Sequence, residues 1–235
     1  MPSKDKKTIA IVLYPGMTAL DLVGTLETLM TLNLNTPYRT ITVAERIAPI
    51  PTDTPLRLVP NRTYAAVPAP WGLIVPGGAA ARTAPGDAAL RRYVRSAGET
   101  AELVASIGTG SLILAAAGLL AGRTATTHWA AARQLEELGV RYVRQRWVED
   151  GKFVTAAGVT AGIDMALYLA ARLTDRETMR KVQLDLEYDP QPPFGGIDWE
   201  HLGVLPRAVR AGVSLLAPLM TRRPKRLTRQ AGWGR

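Results

Sequence analysis

Residues Ala101–Leu120 read A-E-L-V-A-S-I-G-T-G-S-L-I-L-A-A-A-G-L-L. Leu103-Val104-Ala105-Ser106-Ile107 is a short apolar run with the length and character of a buried strand. The Ala/Leu run from Leu112 to Leu120 reads as a buried helix. Between them lies Gly108-Thr109-Gly110-Ser111. A strand that turns sharply into a helix over such residues is a nucleophile-elbow arrangement. It aims the turn residue and the helix's free N–H groups at one point. Here the turn residue is Gly108, which has no side chain, and that absence shapes every functional reading of the chain.

Outward from this stretch, apolar runs alternate with helical patterns. Thr8–Tyr14 and Trp71–Val75 read as buried parallel strands, and Tyr38–Ala44 as an alternating one. Thr18 is a plausible cap for a helix running to about Met30. Five prolines around Ile47–Val67 favour short extended pieces over a helix. Asp87 can cap a helix through Arg95 with Leu90, Tyr93 and Val94 facing inward. Gly122–Thr126 is a short extended piece, followed by a helix from Trp129 to Leu138 closed by Gly139. Asp150-Gly151 between the runs Arg141–Val148 and Lys152–Thr155 signals a hairpin. Thr160–Leu173 is a further helix, and Asp175 can cap another running to Leu186.

This alternation predicts an α/β fold, a parallel sheet between two helical layers with a small hairpin and a C-terminal helical arm. The expected division is an α/β domain over 1–195 and a basic arm and tail over 196–235. The arm contains a helix over Val204–Met220.

The chain has 235 residues, 47% hydrophobic and 21% charged, so it can bury a substantial core and global disorder is excluded. It has no cysteine, which excludes disulfides, thiolate metal sites and a thiol nucleophile. That composition fits the cytoplasm. The apolar run Ile9–Tyr14 is too short for a signal peptide and is stopped by Pro15-Gly16. No apolar run reaches the length of a membrane span. The net charge is +9, but eight of the 29 Lys/Arg lie after Val204 with no acid among them. The remaining 21 nearly balance 20 acids, so the basic character belongs to the tail. Such a tail can contact nucleic acid or an anionic membrane, but is more often a solvated end.

Ligands in an open α/β sheet sit beyond the carboxyl ends of the strands. Three loops should meet there: Pro15–Asp21, Pro76–Ala80 and Gly108–Ser111. Asp21 has the apolar flanks Ala19, Leu20, Leu22 and Val23, which would raise its pKa toward that of a general acid/base. Its bland alternative is an anion serving the first helical turn. Gly77 and Gly78 can free N–H groups for an oxyanion, or simply make a turn. Gly108, Thr109 and Gly110 open the next helix. The Thr109 hydroxyl stands either at the mouth of a ligand seat or as a plain cap. G-T-G-S is too short for a phosphate loop and lacks its lysine. His128 opens a helix after a short strand and is a candidate binding residue of the elbow region, although a lone histidine there is usually structural. His201 is assigned nothing. No His/Asp/Glu grouping suggests a metal, and no serine stands at the elbow to complete a triad.

V-P-G-G (75–78), S-I-G-T-G-S-L-I-L-A-A-A-G-L-L-A-G (106–122), R-T-A-T-T-H-W-A (123–130) and A-A-G-V-T-A-G-I-D-M-A-L (156–167) resemble the ThiJ/PfpI family, which is glutamine-amidotransferase-like. Q-L-D-L-E-Y-D-P-Q-P-P-F (183–194) resembles its isonitrile hydratase branch. The resemblance implies a flavodoxin-like sandwich, usually a homodimer. It further implies addition of water to an isonitrile to give an N-substituted formamide, with no cofactor. The branch uses an aspartate, an elbow cysteine and the threonine after it. Asp21 and Thr109 match two of these, and Gly108 replaces the cysteine. Protease-like members place a histidine where Thr109 stands, which argues against peptidase activity. Regulators with a similar domain continue into a helix-turn-helix module, for which the remaining residues are too few.

Two functions follow. One is an isonitrile-hydratase-like hydratase or lyase without a covalent step, with Asp21 as acid/base. Thr109 and backbone N–H groups then hold the substrate. The other is a non-catalytic member, or an inactivated hydratase, that binds a small ligand. The expected partners are a small molecule and a second copy of the chain, with nucleic acid confined to a role for the basic tail.

Overall fold

The computed structural model describes residues 6–83 and 86–199. The expected arm and tail beyond residue 199, with Val204–Met220 and His201, lie outside the described residues. The elements run β1 (Lys7–Val12), α1 (Ala19–Met30), α2 (Leu32–Asn35), β2 (Tyr38–Ala44), β3 (Ile50–Pro51), β4 (Arg57–Leu58), β5 (Arg62–Thr63) and β6 (Gly72–Val75). They continue with α3 (Ala88–Thr100), β7 (Leu103–Ile107), α4 (Gly110–Ala116), β8 (Thr124–Ala125) and α5 (Ala132–Glu137). The last are β9 (Arg141–Tyr142), β10 (Trp147–Asp150), β11 (Phe153–Ala156), α6 (Ala161–Leu173) and α7 (Arg176–Asp185).

Seven strands form the main sheet in the order β10-β11-β7-β6-β1-β2-β5. All neighbours are parallel except β10 and β11. Every residue of β6, β7 and β11 is buried, as are Ile9–Val12 of β1. Such strands need unbroken apolar sequence because helices cover both faces. Helices α1 and α6 pack together on one side, and α3, α4 and α5 on the other. This is the expected sandwich.

Three local readings change. The first arm of the hairpin is only Trp147–Asp150, paired with Phe153–Ala156. Arg141–Tyr142 instead pairs in parallel with Thr124–Ala125 in a separate two-stranded sheet. β10 runs antiparallel because two residues cannot make the crossover that parallel strands require. The Trp129–Leu138 helix opens as a 3₁₀ turn over Trp129–Ala131 before α5 begins. Thr18 does occupy the cap position of α1, but its hydroxyl caps nothing. It donates to Asp53 Oδ2 at 2.8 Å, and Asp53 Oδ1 accepts the Ala19 N–H at 3.1 Å. A carboxylate is the stronger acceptor, so a residue 34 positions away in the chain caps the helix.

Candidate active site

β1, β6 and β7 are adjacent, so their carboxyl ends bring the three expected loops together. Hydrogen bonds then knit the loops to one another. The Thr18 N–H donates to the Gly77 carbonyl at 2.8 Å. The Tyr14 hydroxyl donates to the Pro76 carbonyl at 2.9 Å. The Gly77 N–H donates to Asp21 Oδ2 at 2.8 Å. Thr109 Oγ1 accepts the Gly78 N–H at 2.9 Å and donates to the Gly78 carbonyl at 2.8 Å.

These bonds revise the expected oxyanion seat. The N–H groups of Gly77 and Gly78 are both engaged within the chain, so neither faces a ligand. The Thr109 hydroxyl is neither a helix cap nor an open donor, because it clamps the elbow to the loop after β6. The N–H groups of Thr109 and Gly110, which open α4, have no acceptor within that helix. Gly110 is required for packing: a Cβ there would fall 2.1 Å from the Val75 carbonyl oxygen.

Asp21 sits on the first turn of α1 and is 2% exposed. Its Oδ1 is buried without a hydrogen-bond partner. Burial pushes the carboxyl up to about 7, opposed by the Gly77 N–H and reinforced by the charge of Asp53. A carboxyl of this kind exchanges its proton near neutrality. Gly108 has φ +52°, and a Cβ added there would stand 3.4 Å from Asp21 Oδ2, an ordinary van der Waals contact. Asp21 therefore faces the place an elbow side chain would occupy. Glycine holds this left-handed conformation without steric cost.

Gly77 allows no such addition. A Cβ would fall 2.7 Å from the Ile107 carbonyl and the Thr109 nitrogen, and 2.8 Å from Asp21 Oδ2. Gly77→Ala is expected to lower stability by about 2–4 kcal/mol through overpacking and the displaced buried hydrogen bond. Denaturant melts check this, and an unchanged midpoint would show that the loop yields freely.

The loops enclose a cleft of about 230 Å³ lined by Asp21, Gly108, Thr109, Gly78, His128 and Arg82, among others. His128 Nδ1 accepts the Ala130 N–H at 3.3 Å, which places the ring proton of the neutral form on Nε2. Burial, then the Arg82 charge, holds its pKa below the ordinary value.

Asp53 and Arg82 were not foreseen. Asp53 reaches the cleft because the β3–β4 loop is pinned to the first loop. The Gly16 N–H donates to Pro51, the Asp53 N–H donates to Met17, and Met17 bridges Thr52. Nothing in the Pro-rich sequence marks that pairing. Arg82 follows Gly78 by four residues and donates to the Ala130 carbonyl at 3.1 Å. Its proximity to the V-P-G-G turn was the available signal. Among the described residues, no group of three or more His, Cys, Asp or Glu could hold a metal. No helix there is long and apolar enough to cross a membrane.

The DJ-1/PfpI family model matches residues 7–172. Isonitrile hydratase from Pseudomonas putida is 41% identical over 186 residues, covering 79% of this chain and 80% of that protein. A crystal structure of a ThiJ/PfpI family protein from Pseudomonas syringae superposes with a TM-score of 0.80 at 34% identity, covering 92% of this chain and 88% of that one. Drosophila melanogaster DJ-1beta shares the fold with a TM-score of 0.70 at 21% identity, covering 79% of this chain and all of that one. With the loops, the elbow and the family match in agreement, the chain belongs to the DJ-1/PfpI family, and Gly108 stands at its elbow.

Proposed function

We propose that the protein is an isonitrile-hydratase-like hydro-lyase that works without a cysteine nucleophile. The observation that carries this reading is the buried Asp21 carboxyl, poised near neutrality and facing the vacant side-chain position at Gly108. The relationship to isonitrile hydratase supplies the reaction class.

The chemistry balances with one carboxyl group. Protonated Asp21 gives its proton to the terminal carbon of R–N≡C, which becomes a nitrilium cation. Water attacks that carbon as the Asp21 carboxylate takes a proton from it. The resulting R–N=CH–OH tautomerises to the formamide R–NH–CHO, and Asp21 ends protonated as it began. The Thr109 backbone N–H holds the developing oxygen, and the Thr109 hydroxyl fixes the elbow against Gly78. No external cofactor enters the sequence. A homodimer in the cytoplasm goes with the same reading.

Formation of an N-substituted formamide from an isonitrile tests the proposal, with formation by the unmodified protein as the expected result. Gly108→Cys separates this reading from a ligand-binding member that has lost its enzyme activity. The space beside Asp21 admits the new Cβ, at a backbone strain of about 1–3 kcal/mol. An inert natural protein that becomes active on this substitution would identify a degenerate hydratase and overturn catalysis without a nucleophile.

A further inference from the structure

The cleft at Asp21 is about 230 Å³, below the roughly 300–1,000 Å³ of sites that enclose a whole small molecule. It opens beside a second cavity of about 380 Å³, and the two share His128 and Val159. The second cavity is lined by Trp129, Tyr142, Trp199, Arg144 and Arg146, and among the described residues no carboxylate contributes to its wall. Arg146 is committed to Asp164. The exposed Arg144 guanidinium lies 5.9 Å from the centre of the Trp199 ring. Three aromatic rings and a cation exceed what a one-carbon reacting head requires.

We propose that this chamber holds the substituent of the substrate, and that the substituent is an aromatic ring carrying an anionic group. This rests on the hydration reading for the chemistry but not for the binding. The reacting carbon enters the Asp21 cleft past His128 and Val159. The ring lies among Trp129, Tyr142 and Trp199, where flat aromatic surfaces pack on one another. The anion meets Arg144, whose guanidinium offers paired donors to a carboxylate and stays within cation–π reach of the Trp199 ring, 5.9 Å from its centre. The Arg144 guanidinium, with no acid in the described wall, disfavours a cationic substituent.

The test compares dissociation constants for two formamides, 4-formamidobenzoate and formanilide, by calorimetry on the full chain. 4-Formamidobenzoate is expected to bind about two- to fivefold more tightly, as one exposed charge pair allows. Arg144→Met should remove that advantage, and Arg144→Lys should restore part of it. Trp199→Ala should weaken both ligands by up to about tenfold. Equal affinities, or an advantage that survives Arg144→Met, would overturn the proposal. The parallel measurement is turnover of 4-isocyanobenzoate and phenyl isocyanide. Charge-dependent binding of the formamides without turnover keeps the chamber and discards the hydration reading. Turnover of both isonitriles with equal KM, unaltered in Arg144→Met, keeps the hydration reading and discards the chamber.

Discussion

Asp21→Asn is expected to lower kcat/KM for isonitrile hydration by about 10²–10⁴-fold, the usual contribution of a positioned general acid/base. Asparagine has nearly the same shape and can still accept the Gly77 N–H through its side-chain oxygen. What it lacks is a proton that can be given up and recovered. In the natural protein the rate should depend on the protonated carboxyl. It should stay level below about pH 7 and fall roughly tenfold per unit above it, because the Asp21 pKa is raised to about 7. Initial rates of formamide production across a pH range of about 5–9 check both statements. A variant with unchanged turnover, or a rate that climbs above about pH 7, would remove Asp21 from the role of acid.

The same substitution is expected to stabilise the fold at alkaline pH. The folded pKa of Asp21 is about 7, against about 4 for an unfolded chain. The native state therefore binds this proton more tightly than the unfolded state does. Its contribution to stability is complete below about pH 4 and is lost as pH rises through about 7. Three units correspond to about 4 kcal/mol in all. The substituted amide carries no charge, so at about pH 8 the variant should gain on the order of 2–4 kcal/mol, reduced by its newly buried and unpartnered N–H₂. For a chain of this size that is about 5–10 °C in Tm. At about pH 4 the gain should vanish. Thermal melts at the two pH values decide the matter, and an equal shift at both would show that Asp21 is not held at a cost. A buried acid that weakens the fold where it is ionised, yet lines the cleft, fits a functional role better than a structural one.

The sheet was legible because its strands are buried on both faces. Ile9–Val12, Leu73–Val75 and Leu103–Ile107 must be nearly continuous apolar runs, and punctuation by Pro15-Gly16 and Pro76-Gly77-Gly78 marks their ends. Asp87 and Asp175 were readable as caps because their acceptors bond N–H groups two and three residues ahead. Thr18 misled because its competitor, Asp53, lies far away in the chain. Arg141–Tyr142 misled for the same reason, since its extended residues could pair within the hairpin or with Thr124–Ala125.

The sequence by itself determined the alternating layers, the elbow at Gly108, the loss of its reactive atom and the candidacy of Asp21. Each of these depends on residue type or on spacing between near neighbours in the chain. Only the tertiary structure decided which polar groups remain open to a ligand. Gly77, Gly78 and the Thr109 hydroxyl are satisfied by one another and by Asp21, whereas Asp53 is carried into the cleft by a loop remote from it in sequence. A hydrogen-bonding group is available only if no nearer partner engages it, and the nearest partner in space is set by the packed fold rather than by order along the chain.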